Sequence, residues 1–230
     1  GSRNMNITGW ITIIITFLVS IIAIGVMQYE TQDQNKEHGG RILDILPKSK
    51  KRIIYCIFMV VGNVGLAAAL EIIYIDHSLL FHLKRLCLIS VIWPIAFIDY
   101  KSCRIPNKLI LLGLVYRGII LIGELFMERE SLLQTIASEG IAVAGMLILS
   151  VLCMLLMKGS LGMGDVKLFL LMGLCQGLSG IIGSVFLSLI VSFIAAVFLL
   201  ITRKKSRKDA IPFGPSVLIG TYISVFLLGA

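Results

Sequence analysis

The chain has 230 residues, of which 57% are hydrophobic and 15% charged, with a net charge of +8 and a mean hydropathy of +0.96. That is far too apolar for a water-soluble domain of this length, and it marks an integral membrane protein. Nucleic acid is excluded as the target of the positive charge, because the basic residues cluster beside apolar runs (Lys48 to Arg52, Lys101 with Arg104, and Arg203 to Lys208) and no nucleic-acid motif accompanies them. The placement is the positive-inside pattern, with anionic lipid of the bilayer as the natural contact.

Taken in order, Gly1 to Asn4 read as a cloning scar ahead of a start at Met5. The first apolar run, Ile7 to Met27, lacks a short Ala-x-Ala exit and is expected to be a retained anchor. Residues 5–52 then form an N-terminal anchor helix with a short cytoplasmic loop, and 53–230 a membrane-embedded core. Hydropathy predicts spans over 7–27, 53–75, 79–98, 108–126, 138–157, 166–178, 181–201 and 212–229. The expected fold is an all-α polytopic bundle of about eight transmembrane helices, the sixth short or re-entrant.

With the loop 28–52 in the cytoplasm, the turn after Asp99, the stretch 158–165 and the basic loop 202–208 all fall on the inside. The count depends on cutting 166–201 at Gln176 to Gly180, the one plausible turn there. Small residues inside the spans (Gly62, Gly65, Ala67 to Ala69, Ala142, Ala144, Gly145, Gly180, Gly183 and Ser184) are assigned to helix packing. The five cysteines are scattered with no Cys-x-x-Cys pair, and His38, His77 and His82 fall on different sides of the membrane. Neither zinc nor any other metal or cofactor is expected.

Two acids stand out, because an unpaired charge deep in lipid costs roughly 2.5–3.5 kcal/mol. Asp99 closes one apolar run, and Asp165 lies in Gly162-Met163-Gly164-Asp165-Val166-Lys167 at the start of another. They are 66 positions apart, yet the topology brings both to the cytoplasmic ends of helices. Two close carboxyl groups do not both ionise easily, so one holds a proton while its partner stays charged. Such a pair can activate water and protonate a leaving amine. The purely structural alternative pairs Asp99 with Lys101 or Arg104 and Asp165 with Lys167 as interfacial salt bridges.

Gly162 and Gly164 are expected to supply positive φ and close substrate approach. Pro106 and Pro212 start helices, and Asn107 caps the fourth span. Arg117, in the middle of that span, is expected to face the bundle, with Glu124 two turns away too distant for a direct bond. Glu71 and Asn63 read as interhelical polar contacts.

Three motifs follow one another: Asp99 with Ile105-Pro106-Asn107, then Gly162 to Lys167, then Ile211-Pro212-Phe213-Gly214-Pro215. From about Leu86 to the carboxyl end, the chain resembles the type IV prepilin and preflagellin peptidases, membrane aspartic proteases of the Gly-x-Gly-Asp type. The resemblance implies that Asp99 and Asp165 are the catalytic aspartates and Lys167 the basic residue following the second. It also places Gly162, Gly164, Pro212, Phe213, Gly214 and Pro215 around the site.

The implied substrate is a prepilin or pilin-like protein, cut after a glycine that ends its basic leader, at the cytoplasmic face of a prokaryotic plasma membrane. Larger family members carry two Cys-x-x-Cys pairs in the first loop and methylate the new amino terminus; the loop 28–52 has no cysteine. The chain therefore resembles a trimmed member without the zinc module, and N-methylation is not expected of it. The rival readings are a small transporter or channel using the acids for proton or cation relay, and an inactive pilus-assembly protein.

Overall fold

The computed structural model describes residues 7–33, 50–74, 76–156, 162–202 and 212–229. The expected scar, His38, most of the first loop and the basic cluster at 203–208 lie outside the described residues. Within them the chain is all helical: α1 (Ile7–Asp33), α2 (Lys50–Ile73), α3 (Leu79–Ser102), α4 (Asn107–Met127), α5 (Leu132–Leu156), α6 (Met163–Ile201) and α7 (Gly214–Leu228). The first six are long and apolar enough to cross a membrane, and α7 is a shorter apolar helix. The eight expected spans appear as seven helices, with the sixth and seventh spans joined in α6.

α3 is the hub. In its most apolar stretch 89% of the residues are buried, against 11% in α6. α3 is also the least apolar of the six long helices: in a bilayer the most apolar helices can face lipid, while the one that carries His82, Lys84 and Arg85 must bury them against partners. Its start is fixed by Ser78, whose Oγ accepts the Phe81 N–H at 3.2 Å. Its end is fixed by Cys103, in the left-handed region at φ 49°, whose N–H reaches the Asp99 carbonyl at 2.8 Å. Pro94 sits inside the helix and removes one backbone donor. Tyr55 ties this stretch to α2 by donating to the Trp93 carbonyl at 2.7 Å.

Polar side chains join the apolar helices where no hydrophobic force acts between them. Asn63 Nδ2 of α2 donates to Ser20 of α1 at 2.9 Å and to Ser90 of α3 at 3.1 Å. Glu71 accepts from Thr12 of α1 at 2.6 Å and lies 3.0 Å from Nδ1 of the buried His82. Both residues act as interhelical contacts, as their positions predict.

A third group corrects an expectation. Arg117 and Glu124 do bond, with Nη2 to Oε2 at 2.9 Å, because two long side chains lean toward each other along α4 and close the two-turn gap. Arg117 Nη2 also meets Glu139 of α5 at 2.5 Å, and Lys84 of α3 bridges Glu124 and Glu139 at 2.8 and 3.0 Å. Two cations and two carboxylates thus neutralise one another inside the bundle. α5 begins at Leu132 and not at the expected residue 138.

An unbroken α6 of 39 residues would be about 58 Å long, nearly twice the hydrocarbon thickness of a bilayer. It is broken at Gly177, where φ is 67° and ψ −170°. Gln176 Nε2 donates to Ser184 Oγ at 2.7 Å, although eight residues of straight helix rise about 12 Å, beyond the reach of those two side chains. Phe169 meets Phe213 and Ser188 packs against Gly220. These contacts would lie about 28 Å apart on a straight α6 but only about 10 Å apart on α7. The two arms, 163–176 and 178–201, therefore turn back on each other at the stretch the sequence marks as a turn.

Candidate active site

The ends of α3, α4, α6 and α7 converge at one end of the bundle. Asp99, in the last turn of α3, is only 5% exposed. Its Oδ2 accepts the Gly214 N–H at 2.7 Å, and the Phe213 N–H also faces it. The carboxylate thus sits on the amino terminus of α7, where backbone donors lack helical partners and the dipole favours negative charge.

Glycine is required at 214 for space. A Cβ there would stand 3.0 Å from both Cβ and Oδ2 of Asp99 and 3.2 Å from the Ala96 Cα. Phe213 is anchored edge-on to Phe169 of α6 at 5.8 Å between ring centres, and Pro215 sits in the first turn of α7, where its missing N–H costs nothing.

Asp165 occupies the first turn of α6 and accepts the Gly162 N–H at 3.3 Å. This is half of a capping box, since Gly162 has no side chain to return the bond. The Asp99 and Asp165 carboxyl groups lie within electrostatic range of each other. The expected positive φ at the two glycines is not found: Gly162 is extended at φ −76° and ψ 145°, and the described glycines with positive φ are Gly177 and Gly229.

Steric fit explains the motif instead. A Cβ on Gly164 would stand 2.9 Å from the Ile105 Cβ, and one on Gly162 would stand 3.1 Å from Asp165 Oδ2. The segment after the first acid thereby packs against the segment before the second.

The salt-bridge alternative lacks its partners. Among the described residues no lysine or arginine pairs with either aspartate. Lys167 Nζ donates to Asn107 Oδ1 at 2.9 Å, tying α6 to α4, and Lys101 lies over the Phe97 ring at 4.4 Å. Asn107 is therefore not the cap of α4; Pro106 holds that position without a side-chain bond. Pro212 does not start α7 as expected but lies two residues before it, with Phe213 at the cap.

Sequence reasoning missed Ala96 and Phe169. The small residue three positions before Asp99 was the available signal for the first; nothing in the sequence marked the second. Among the described residues there is no group of three His, Cys, Asp or Glu side chains placed to hold a metal ion.

This end of the bundle thus presents one acid held at the amino terminus of α7 and a second in the first turn of α6. A protein named Prepilin leader peptidase/N-methyltransferase from Bacillus subtilis (strain 168) is 26% identical over 137 residues. The match covers 59% of this chain and 52% of that relative, so the chain spans about half the relative's length. No solved structure matches. Residues 86–200, which contain both aspartates and the Gly-x-Gly motif but not Pro212 to Pro215, match the Type IV leader peptidase family, and the chain belongs to that family.

Proposed function

We propose that the chain is an aspartic endopeptidase that removes the basic leader of a prepilin-like protein, cutting after a glycine at the cytoplasmic face of a prokaryotic plasma membrane. The observation that carries this reading is that Asp99 and Asp165, remote in sequence, lie within electrostatic range of each other at one end of an apolar bundle. In this mechanism the ionised carboxylate takes a proton from water as the oxygen attacks the scissile carbonyl. The protonated partner first supports the developing oxyanion and then returns a proton to the leaving amine. The two acids titrate as a unit and exchange roles through the cycle.

The Gly214 amide holds Oδ2 of Asp99, with the Phe213 amide facing the same carboxyl group, and so orients it for transfer. Gly164 lets the start of α6 pack against Ile105 and so seats Asp165 near Asp99, and the substrate must be unwound there to expose its peptide bond. The folded-back α6 supports eight crossings, with the acids on the same side as Lys50 to Arg52 and Arg104. Methyl transfer is not part of the proposal, in keeping with the cysteine-free loop 28–52.

The test is incubation of the purified protein in detergent with a prepilin and with the same prepilin altered at its leader glycine. Asp99→Asn and Asp165→Asn are each expected to lower kcat by about a hundredfold or more. Cleavage that survives either substitution removes the paired-acid mechanism.

A further inference from the structure

The break at Gly177 separates two backbone groups that an unbroken helix would join, the Leu174 carbonyl and the Leu178 N–H. Each finds its replacement in a different neighbouring helix. The Leu178 N–H donates to Ser138 Oγ of α5 at 3.1 Å, and the Leu174 carbonyl accepts from Arg117 Nε of α4 at 3.0 Å. Unpaired backbone groups are strongly disfavoured where helices pack together, so a bend there needs partners from outside the bending helix. Gly177 supplies the dihedrals, and its missing side chain leaves room for Ser138, whose Oγ would lie 2.8 Å from a Cβ.

Arg117 is itself immobilised. Its Nη2 is bound to Glu124 and Glu139, and Lys84 holds the remaining oxygens of both carboxylates. The guanidinium fork therefore presents Nε to the bend from a fixed place. Below the bend, the first arm of α6 lies parallel to α4: Leu174 is level with Arg117, Leu171 packs at Gly113, and Lys167 bonds to Asn107. One turn further, Gly164 sits against Ile105, next to the acids. The seat of the bend thus fixes the height at which this arm presents Asp165 to Asp99.

We infer that Arg117 and Ser138 are positioning residues, a two-helix clamp that builds the bend in α6 and through it holds Asp165 in register with Asp99. The effect on rate rests on the proposed acid-pair function, whereas the effect on shape does not.

The experiment places spin labels at Met163→Cys and Phe198→Cys, both exposed, in a full chain whose five native cysteines are replaced by alanine. An unbroken α6 separates these sites by about 52 Å. With the clamp intact, a narrow distribution well below that length is expected. Arg117→Lys keeps the charge but loses the fork that reaches Glu124, Glu139 and Leu174 together. It should broaden the distribution toward longer distances and lower kcat by about tenfold or more with KM unchanged.

Ser138→Ala, a milder change in case the first variant folds poorly, should move both readouts in the same direction by less. Distances unchanged in both variants overturn the clamp, and so does a fall in kcat without any change in distance. A distance near the unbroken value in the parent chain overturns the bend itself. If the parent chain cleaves no prepilin, the proposed function fails, and the distances still decide the clamp.

Discussion

Asp99 and Asp165 each accept a glycine N–H, from Gly214 and Gly162 respectively. Gly214 carries the sharper consequence, because its nearest neighbours are the Cβ of Asp99 and the Cα of Ala96, atoms that cannot swing aside. Gly214→Ala is expected to push α7 away and lengthen the 2.7 Å bond to Oδ2, lowering kcat by about tenfold or more. The same crowding should cost about 1–3 kcal/mol of stability in a detergent melt. Parent-like kinetics would mean that the amide contact does nothing for the site. Gly164→Ala is expected to destabilise by a similar amount, with Ile105 Cβ at 2.9 Å from the new methyl. Gly145→Ala is the control, since nothing lies within 4 Å of a Cβ there, and its melting temperature should be unchanged or raised. Sequence spacing located these glycines, but it could not distinguish backbone freedom from close approach. That distinction depends on residues such as Ile105 and Ala96, which only the folded chain brings near.

Single helices account for less than their partners do. The sequence identified Arg117 as a charge needing company, yet Lys84 and Glu139 come from other helices and no periodicity within α4 reveals them. Counting turns also misjudged Glu124, because it measured backbone separation and neglected the length of the two side chains that bridge it. The ion cluster yields a prediction at this level. Glu139→Gln leaves Arg117 and Lys84 facing one carboxylate and should destabilise the protein by about 3–5 kcal/mol. Removing the opposed pair together, as in Lys84→Met with Glu124→Gln, should cost less than the sum of the two single changes, because each single change strands a charge and the double change does not. Additive losses in a double-mutant cycle would show that the pair is not coupled. The break in α6 was legible because Gln176 to Gly180 interrupts an otherwise apolar run; its partners Ser138 and Arg117 were not.

The whole molecule is organised by the alternation of helix directions, which hydropathy and basic clusters made legible before any contact was known. Contacts among α3, α4, α6 and α7 follow this alternation: Asp99, Asn107, Gly164 and Gly214 gather at one end, while Gly229, which accepts from Arg85 near the start of α3, lies at the other. Crossing number follows from these directions and can be read with a membrane-impermeant maleimide on right-side-out and inverted vesicles. Cys103, exposed beside the candidate site, is expected to react only from the cytoplasmic side. In a Cys103→Ser chain, Ser131→Cys in the turn between α4 and α5 should react only from the outside. Ser179→Cys, exposed just past the bend, separates the two treatments of α6. If the arms cross separately, it reaches the outer surface and reacts there; if α6 crosses once as a tilted rod, this residue sits in the hydrocarbon and stays unlabelled. Labelling of Cys103 and Ser131→Cys from the same side would break the alternation, and with it the placement of both aspartates where a substrate leader is presented.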